Sequence, residues 1–258
     1  MNSFYTGLQA QRLARLVPAN LDTAARFETP VDQTAHSGGL RYIVDNYADA
    51  RPTHINDGYQ NGAKRVFETA LIVLGLPFIL PILVICAIAL WLEGGSPFYR
   101  QIRLGKGGSR FSILKLRTMV RDADNVLETY LAQNPDMRRE WDIKQKLAAD
   151  PRVTPVGKFL RATSLDELPQ LWNVLTGEMS LIGPRPMMPE QLSMYGEPAH
   201  YFALRPGITG LWQVSARNEN GFAFRNEVDG AYHTSLSLRG DIGIIIRTFD
   251  VMLRRTGC

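Results

Sequence analysis

Residues Ala70–Leu92 read ALIVLGLPFILPILVICAIALWL, a run without one charged side chain. As a single helix it would rise about 35 Å, against roughly 30 Å of bilayer hydrocarbon, so membrane insertion is the first expectation. A cleavable leader would lie at the N-terminus and end in small residues, whereas this run starts well inside the chain and continues into Trp91, Leu92 and Glu93; it is expected to stay in the mature protein. Pro77 and Pro81 stand near its middle, just after Gly75. Each proline removes a backbone donor and crowds the carbonyl four residues earlier, so a bend is expected there. Lys64 and Arg65 precede the run, and Arg100, Arg103, Lys106 and Arg110 follow it. Lys and Arg favour the cytoplasmic side, which places both ends on one face. A re-entrant hairpin of two half-helices satisfies the prolines and the charges together. A spanning helix with a tolerated kink is the alternative.

Outward from this segment the chain changes character. Residues 1–62 are polar and only briefly patterned; Phe4, Leu8, Leu13, Leu16 and Val17 could form an amphipathic helix with Arg12 and Arg15 on its polar side, or the stretch is a mobile extension. After it, FYRQIRLGKGGSRFSILKLRT predicts two strands joined by a turn at Gly105, Gly107 and Gly108. The glycines lack the strand–loop–helix setting of a dinucleotide loop. A helix is expected from about Asp122 to Gln133, broken at Asn134-Pro135 and resumed up to Asp150-Pro151. Thr154-Pro155 opens another, and Ser164 opens a further one that runs to Gly177; Pro169 costs a start at Ser164 one hydrogen bond, whereas a start at Asp166 leaves it among groups that are free anyway. Pro184, Pro186, Pro189, Pro198 and Pro206 mark a mostly irregular region. From Gly240 to Arg255, Ile242, Ile245, Ile246, Phe249, Val251, Met252 and Leu253 share one side of a helix suited to a membrane interface or to core packing.

The whole chain has 258 residues, 45% hydrophobic and 21% charged, with a net charge of +4. That composition supports a sizeable core and excludes a collagenous, mucin-like or wholly disordered chain. Cys86 and Cys258 lie too far apart to suggest a disulfide framework or a zinc knuckle, and a reducing compartment is expected.

The chemistry concentrates in SLDELPQLWN, residues 164–173. Ser164 with Glu167 three residues later spells a capping box, which by itself explains Asp166 and Glu167 as helix initiators. The same geometry also serves a reaction, because adjacent carboxylates at a helix start can share a divalent cation, and an ionised Asp is a nucleophile. Arg185 is held between Pro184 and Pro186, and Arg205, Gln213, Arg217 and Asn218 lie in LRPGITGLWQVSARN. A guanidinium on a stiff backbone can grip phosphate oxygens bidentately, although a single Arg is more often a surface or carboxylate-paired side chain. Lys115 and Arg117 on the second strand are phosphate-holding candidates or plain strand residues. The histidines show no metal-ligand spacing, and no Gly-x-Ser-x-Gly, Walker or zinc signature occurs.

Taken together and in order, Lys64-Arg65, the proline-broken apolar run, SPFYRQIRLGKGGSRFSILKLRTM, LRATSLDELPQLWNVLTGEMSLIGPRP and RPGITGLWQVSARN resemble the bacterial sugar transferases, or monotopic phosphoglycosyl transferases. The likeness covers about Lys64 to Arg255 and is to the small form, without a preceding membrane bundle. It implies Asp166 as nucleophile, Glu167 with Asp166 as ligands of Mg²⁺, and Arg185 as a phosphate ligand. Arg161, Lys115, Arg117, Arg205, Gln213 and Arg217 complete the expected substrate site, and Leu80-Pro81 the helix break. Glu68, Leu80 and Ala216 depart from the family's commoner residues. The expectation is a helix-rich α+β, membrane-associated monotopic domain with a re-entrant helical hairpin and a small β-hairpin. It divides into an extension (1–62), a membrane helix (63–95) and a catalytic domain with an interfacial C-terminal helix (96–258). It would transfer a hexose-1-phosphate from a UDP-sugar to undecaprenyl phosphate and release UMP, at the cytoplasmic face of the bacterial inner membrane, as the first membrane step of exopolysaccharide assembly. A homodimer is left open, no nucleic acid is expected as partner, and the sugar is not named. The rival readings are a non-catalytic membrane scaffold, in which the Asp-Glu pair only caps a helix, and a lipid phosphatase.

Overall fold

The glycine turn between two alternating strands builds the expected hairpin. β1 (Phe98–Leu104) pairs antiparallel with β2 (Arg110–Leu116), from Phe98 opposite Leu116 to Leu104 opposite Arg110. The chain turns through Gly107 and Gly108, whose φ angles of 67° and 76° favour glycine. In this computed structural model the residues described are 58–144, 147, 150–215 and 222–253. The expected N-terminal amphipathic helix, Ala216, Arg217, Asn218, Arg254 and Arg255 lie outside them.

The apolar run lies in α1 (Lys64–Leu92), 29 residues preceded by a π-helical turn, Tyr59–Ala63. Here the structure differs from the expected two half-helices: one helix continues through both Pro77 and Pro81. The prolines lie a turn apart near the middle, so two backbone donors are lost while the hydrogen bonds on either side carry the helix across. By length and composition α1 could cross a membrane, and only 11% of its most apolar stretch is buried.

The protein body touches α1 along one side. Ile72 packs with Phe111, Ile113, Val174 and Met179, and Cys86 and Leu90 pack with Leu116 and Leu160. Val73, Leu74, Phe78, Ile85, Trp91 and Leu92 are exposed on the other side. The first turns are fixed by charge. Lys64 Nζ lies 2.9 Å from Glu68 and 2.5 Å from Asp241. The hydroxyls of Tyr59 and Tyr232 each donate to Asp241 at 2.7 Å. Glu68 Oε1 accepts from Ser180 Oγ at 2.6 Å and from the Ile182 amide at 3.2 Å. The far end is held too, where Arg117 donates to the Leu90 carbonyl at 3.0 Å and Glu93 accepts from the Val156 amide at 3.3 Å.

Past the hairpin come α2 (Ala123–Gln133), α3 (Pro135–Lys144) and α4 (Pro155–Thr163). As expected, Thr154 caps α4, its hydroxyl accepting from the Gly157 amide at 2.9 Å. Among the described residues α3 runs to Lys144, and Leu147 and Asp150 lie outside it. α5 (Gln170–Thr176) ends at Gly177, in the left-handed region at φ 87°. Asn173 straps α5 to the edge of β2: its amide accepts from the Leu114 N–H at 3.0 Å and donates to the Ser112 carbonyl at 2.9 Å, as a neighbouring strand would.

The proline-rich region is more ordered than its sequence suggests. β3 (Ser180–Ile182) and β4 (Gly207–Thr209) form a parallel pair flanking α6 (Leu192–Tyr195) and α7 (Ala199–Ala203). A side chain on Gly207 would overlap the Gly183 amide, so glycine permits this crossing. α8 (Leu211–Ser215), α9 (Phe222–Thr234) and α10 (Leu238–Leu253) follow. Ile244 of α10 is fully buried, while Ile242, Ile246, Phe249 and Met252 form an exposed apolar row at helical spacing.

Candidate active site

β2 does not stop pairing at Leu116. Thr118 accepts from the Thr154 amide at 3.1 Å, and the Val120 amide donates to the Arg152 carbonyl at 2.8 Å. These bonds carry α4, and the turn after it, onto the hairpin. The expected helix start at Ser164 is overturned. Ser164 closes α4 in the left-handed region, at φ 56°, and its side chain makes no capping bond. Leu165–Glu167 form a 3₁₀ turn, and the next helix begins only after Pro169. The physical reason is Pro169, which has no N–H to give the Leu165 carbonyl in a helix begun at Ser164. Asp166 and Glu167 therefore form no capping box. They sit on a tight turn entered through a non-glycine left-handed residue, a conformation that costs about 1–2 kcal/mol and concentrates at functional sites.

Leu165 anchors this turn against the cluster of Leu90, Leu116 and Leu160. On one side of Leu165, therefore, is the end of α1, and next to it are the two carboxylates. Lys115 Nζ lies 2.8 Å from Glu167 Oε1, and both side chains are about one-fifth exposed. Burial pushes the Asp166 carboxyl up from 3.8 to about 6; Glu167 adds to the rise, and Lys115 and Arg161 oppose it. Arg161 is oriented by a 2.9 Å bond from its Nε to Thr118 Oγ1. Since Lys115 holds the Asp166 value down, Lys115→Met should raise it. The acid limb of the protein's activity should then lie at higher pH than in the unaltered protein. Identical limbs in a pH–rate profile would remove Lys115 from the dyad's electrostatics.

Glu167 opens on a cleft of about 160 Å³ whose lining includes Arg185, Gln213, Leu171, Val251 and Met252. The structure thus brings Asp166, Glu167, Lys115 and Arg161 together, with Arg185 and Gln213 on the same cleft as Glu167. Two expected residues have other contacts. Arg117 donates to the Leu90 carbonyl, and Arg205 donates to the Gly177 carbonyl at 2.9 Å and lines a separate cleft with Lys64, Arg65 and Lys106. Arg103 and Arg225, near Arg185, were not legible as site residues. Arg103 looked like one of several basic residues flanking the membrane run, and Arg225 carries no motif.

Two adjacent carboxylates beside a phosphate-sized cleft fit Mg²⁺, which commonly takes one or two protein carboxylates and completes its shell with phosphate and water. The raised Asp166 carboxyl reflects burial, which disfavours its charge, and a bound cation would favour the ionised form. Among the described residues no group of three or more His, Cys, Asp or Glu could hold a metal, so phosphate and water would have to supply the other ligands.

A long apolar helix thus lies on an α+β body, with an acidic dyad near its end. The bacterial sugar transferase model matches residues 59–255, and the chain belongs to that family. It is 46% identical over 195 residues to the UDP-galactose-lipid carrier transferase of Erwinia amylovora, covering 75% of this chain and 41% of that protein. It is 43% identical over 197 residues to the exopolysaccharide production protein ExoY of Rhizobium meliloti, covering 76% of this chain and 87% of that protein. A UDP-glucose:undecaprenyl-phosphate glucose-1-phosphate transferase of Caulobacter vibrioides is 38% identical over 200 residues, 74% of this chain and 69% of that protein. The chain thus spans well under half of some relatives and most of others.

Proposed function

We propose that this chain transfers a hexose-1-phosphate from a UDP-sugar to undecaprenyl phosphate, as the first membrane step of exopolysaccharide assembly. An Asp166 carboxylate oxygen attacks the phosphorus that carries the sugar, the bond from that phosphorus to the bridging oxygen breaks, and UMP leaves with the electron pair. A phosphate oxygen of the lipid then attacks the aspartyl phospho-sugar, freeing Asp166 and giving the lipid diphospho-sugar. Mg²⁺ held by Asp166 and Glu167 would neutralise phosphate charge. Lys115 fixes Glu167, and Arg161 favours the ionised Asp166. The observation that carries this reading is the Asp166-Glu167 turn, anchored beside the end of α1, facing Lys115 and opening on the cleft of Arg185. Incubating the protein with a panel of UDP-sugars and polyprenyl phosphate tests it: sugar-dependent UMP is the expected product. Inorganic phosphate from the lipid would mean a phosphatase, and no product with intact membrane binding would mean a scaffold.

Re-entrant placement of α1 at the cytoplasmic face belongs to the same reading. Basic residues flank both ends of the run. The body also grips α1 near both ends, at Glu68 and at Leu90, and one body cannot lie on both sides of a bilayer. Tags before Lys64 and after Glu93 should both be accessible from the cytoplasm only; opposite-side labelling would make α1 a span. The exposed row of α10 would lie in the same interface.

A further inference from the structure

Strand β1 is stitched to the loop that carries Arg185. The Leu104 amide donates to the Met187 carbonyl at 2.9 Å. The Tyr201 hydroxyl donates to the Leu104 carbonyl at 2.7 Å and accepts from the Met187 amide at 3.0 Å. Arg103, next to Leu104, is thereby held near Arg185. Its Nη2 donates to Gln101 Oε1 at 2.6 Å, and its Nε is buried without a hydrogen-bond partner. The groups acting on Arg103 are Arg185, Arg225, Tyr99 and Tyr201, and none is a carboxylate; burial and the two arginines all disfavour its charge.

Arg225 explains how the cluster is held. Its Nη2 donates to the Arg185 carbonyl, and its guanidinium lies 5.7 Å from the Tyr195 ring and 5.8 Å from the Trp212 ring. Asp229 lies 3.8 Å from it and accepts from the Tyr195 hydroxyl at 2.5 Å. Asp229 is the carboxylate that pairs with Arg225, while the charged groups acting on Arg103 are Arg185 and Arg225. A fold that holds like charges together in a partly desolvated place is completed by an anion.

We propose that Arg185, which lines the cleft, and Arg103 beside it form a paired phosphate grip, with Arg225 as the residue that positions it. The ligand is a phosphoryl group, with two sources to separate, the nucleotide-sugar diphosphate and the lipid phosphate. This rests on the transferase reading for its substrates, but the grip itself can be read without turnover. Losing one charge-assisted guanidinium–phosphate interaction corresponds to about a tenfold to hundredfold loss.

The test uses the full chain in detergent or nanodiscs. Arg103→Gln should raise the KM for one substrate by that factor, and Arg103→Lys, which keeps charge and loses the fork, by less. A rise confined to the UDP-sugar, with weaker inhibition by UMP, assigns the nucleotide diphosphate; a rise confined to the lipid assigns the lipid phosphate. Arg225→Lys should move the same KM, whereas a merely structural role would lower Tm and leave KM unchanged. Calorimetry with pyrophosphate gives the second readout: binding by the unaltered chain and its loss in Arg103→Gln would uphold the grip even if no UDP-sugar were turned over. Unchanged KM for both substrates and unchanged pyrophosphate binding in folded Arg103→Gln would overturn it.

Discussion

Asp166→Asn given UDP-sugar and Mg²⁺ without lipid should release no burst of UMP, whereas the unaltered chain should release about one equivalent. Turnover with both substrates should fall roughly a thousandfold or more, because an amide is a poor nucleophile and the route through the enzyme is lost. The unaltered chain should give parallel lines in initial-rate plots, and the peptide Ser164–Gln170 should carry one hexose phosphate that hydroxylamine removes. The asparagine variant should still fold and bind membrane, since Asp166 heads no capping box and makes no salt bridge described for the turn. Intersecting kinetics, no burst and no modified peptide in an enzyme that turns over would make the reaction a single displacement. Asp166 would then be at most a metal ligand.

The second large effect is on stability. Asp241 is fully buried and takes Lys64 and two tyrosine hydroxyls at once. Asp241→Ala leaves those donors facing a void and Lys64 with Glu68 alone, and breaking such a buried pair costs about 3–5 kcal/mol. Thermal unfolding in detergent should show a fall in Tm of many degrees, with Asp241→Asn intermediate because its amide oxygen still accepts. Asp136→Ala is the control: its pair with Arg139, at 3.5 Å, is almost fully solvated, and its loss should be hardly measurable. Equal Tm values for Asp241→Ala and the control would mean that the buried network contributes nothing to holding α1.

The hairpin, the Thr154 cap and the Gly177 stop were legible because each depends on neighbours in sequence: alternation, an Ser/Thr-type oxygen before Pro, a glycine after the last turn. The course of the chain through Ser164 was legible only in part: the local signal favours a capping box, the missing donor at Pro169 argues for a later start, and the helix begins later than either reading, at Gln170. The order within residues 184–206 was hidden because it comes from β3 meeting β4, a pairing between segments far apart in the chain. For the site, the dyad and Arg185 could be read from motifs. Arg103 and Arg225 could not, because their place comes from the bridge of Leu104 to Met187 and from the rings of Tyr195 and Trp212. The continuity of α1 through its prolines is the reverse case, a local rule outweighed by the intact turns on either side.

Asp241 also ties together two parts of the molecule that face different surroundings. Through Lys64 it grips the foot of α1, and further along its own helix, α10, Thr248, Val251 and Met252 wall the cleft. A stiff α-helix transmits displacement along its length, so Asp241 couples the foot of α1 to the wall of the cleft: on the reading proposed above, a tilt of α1 in a bilayer would be felt where the substrates bind.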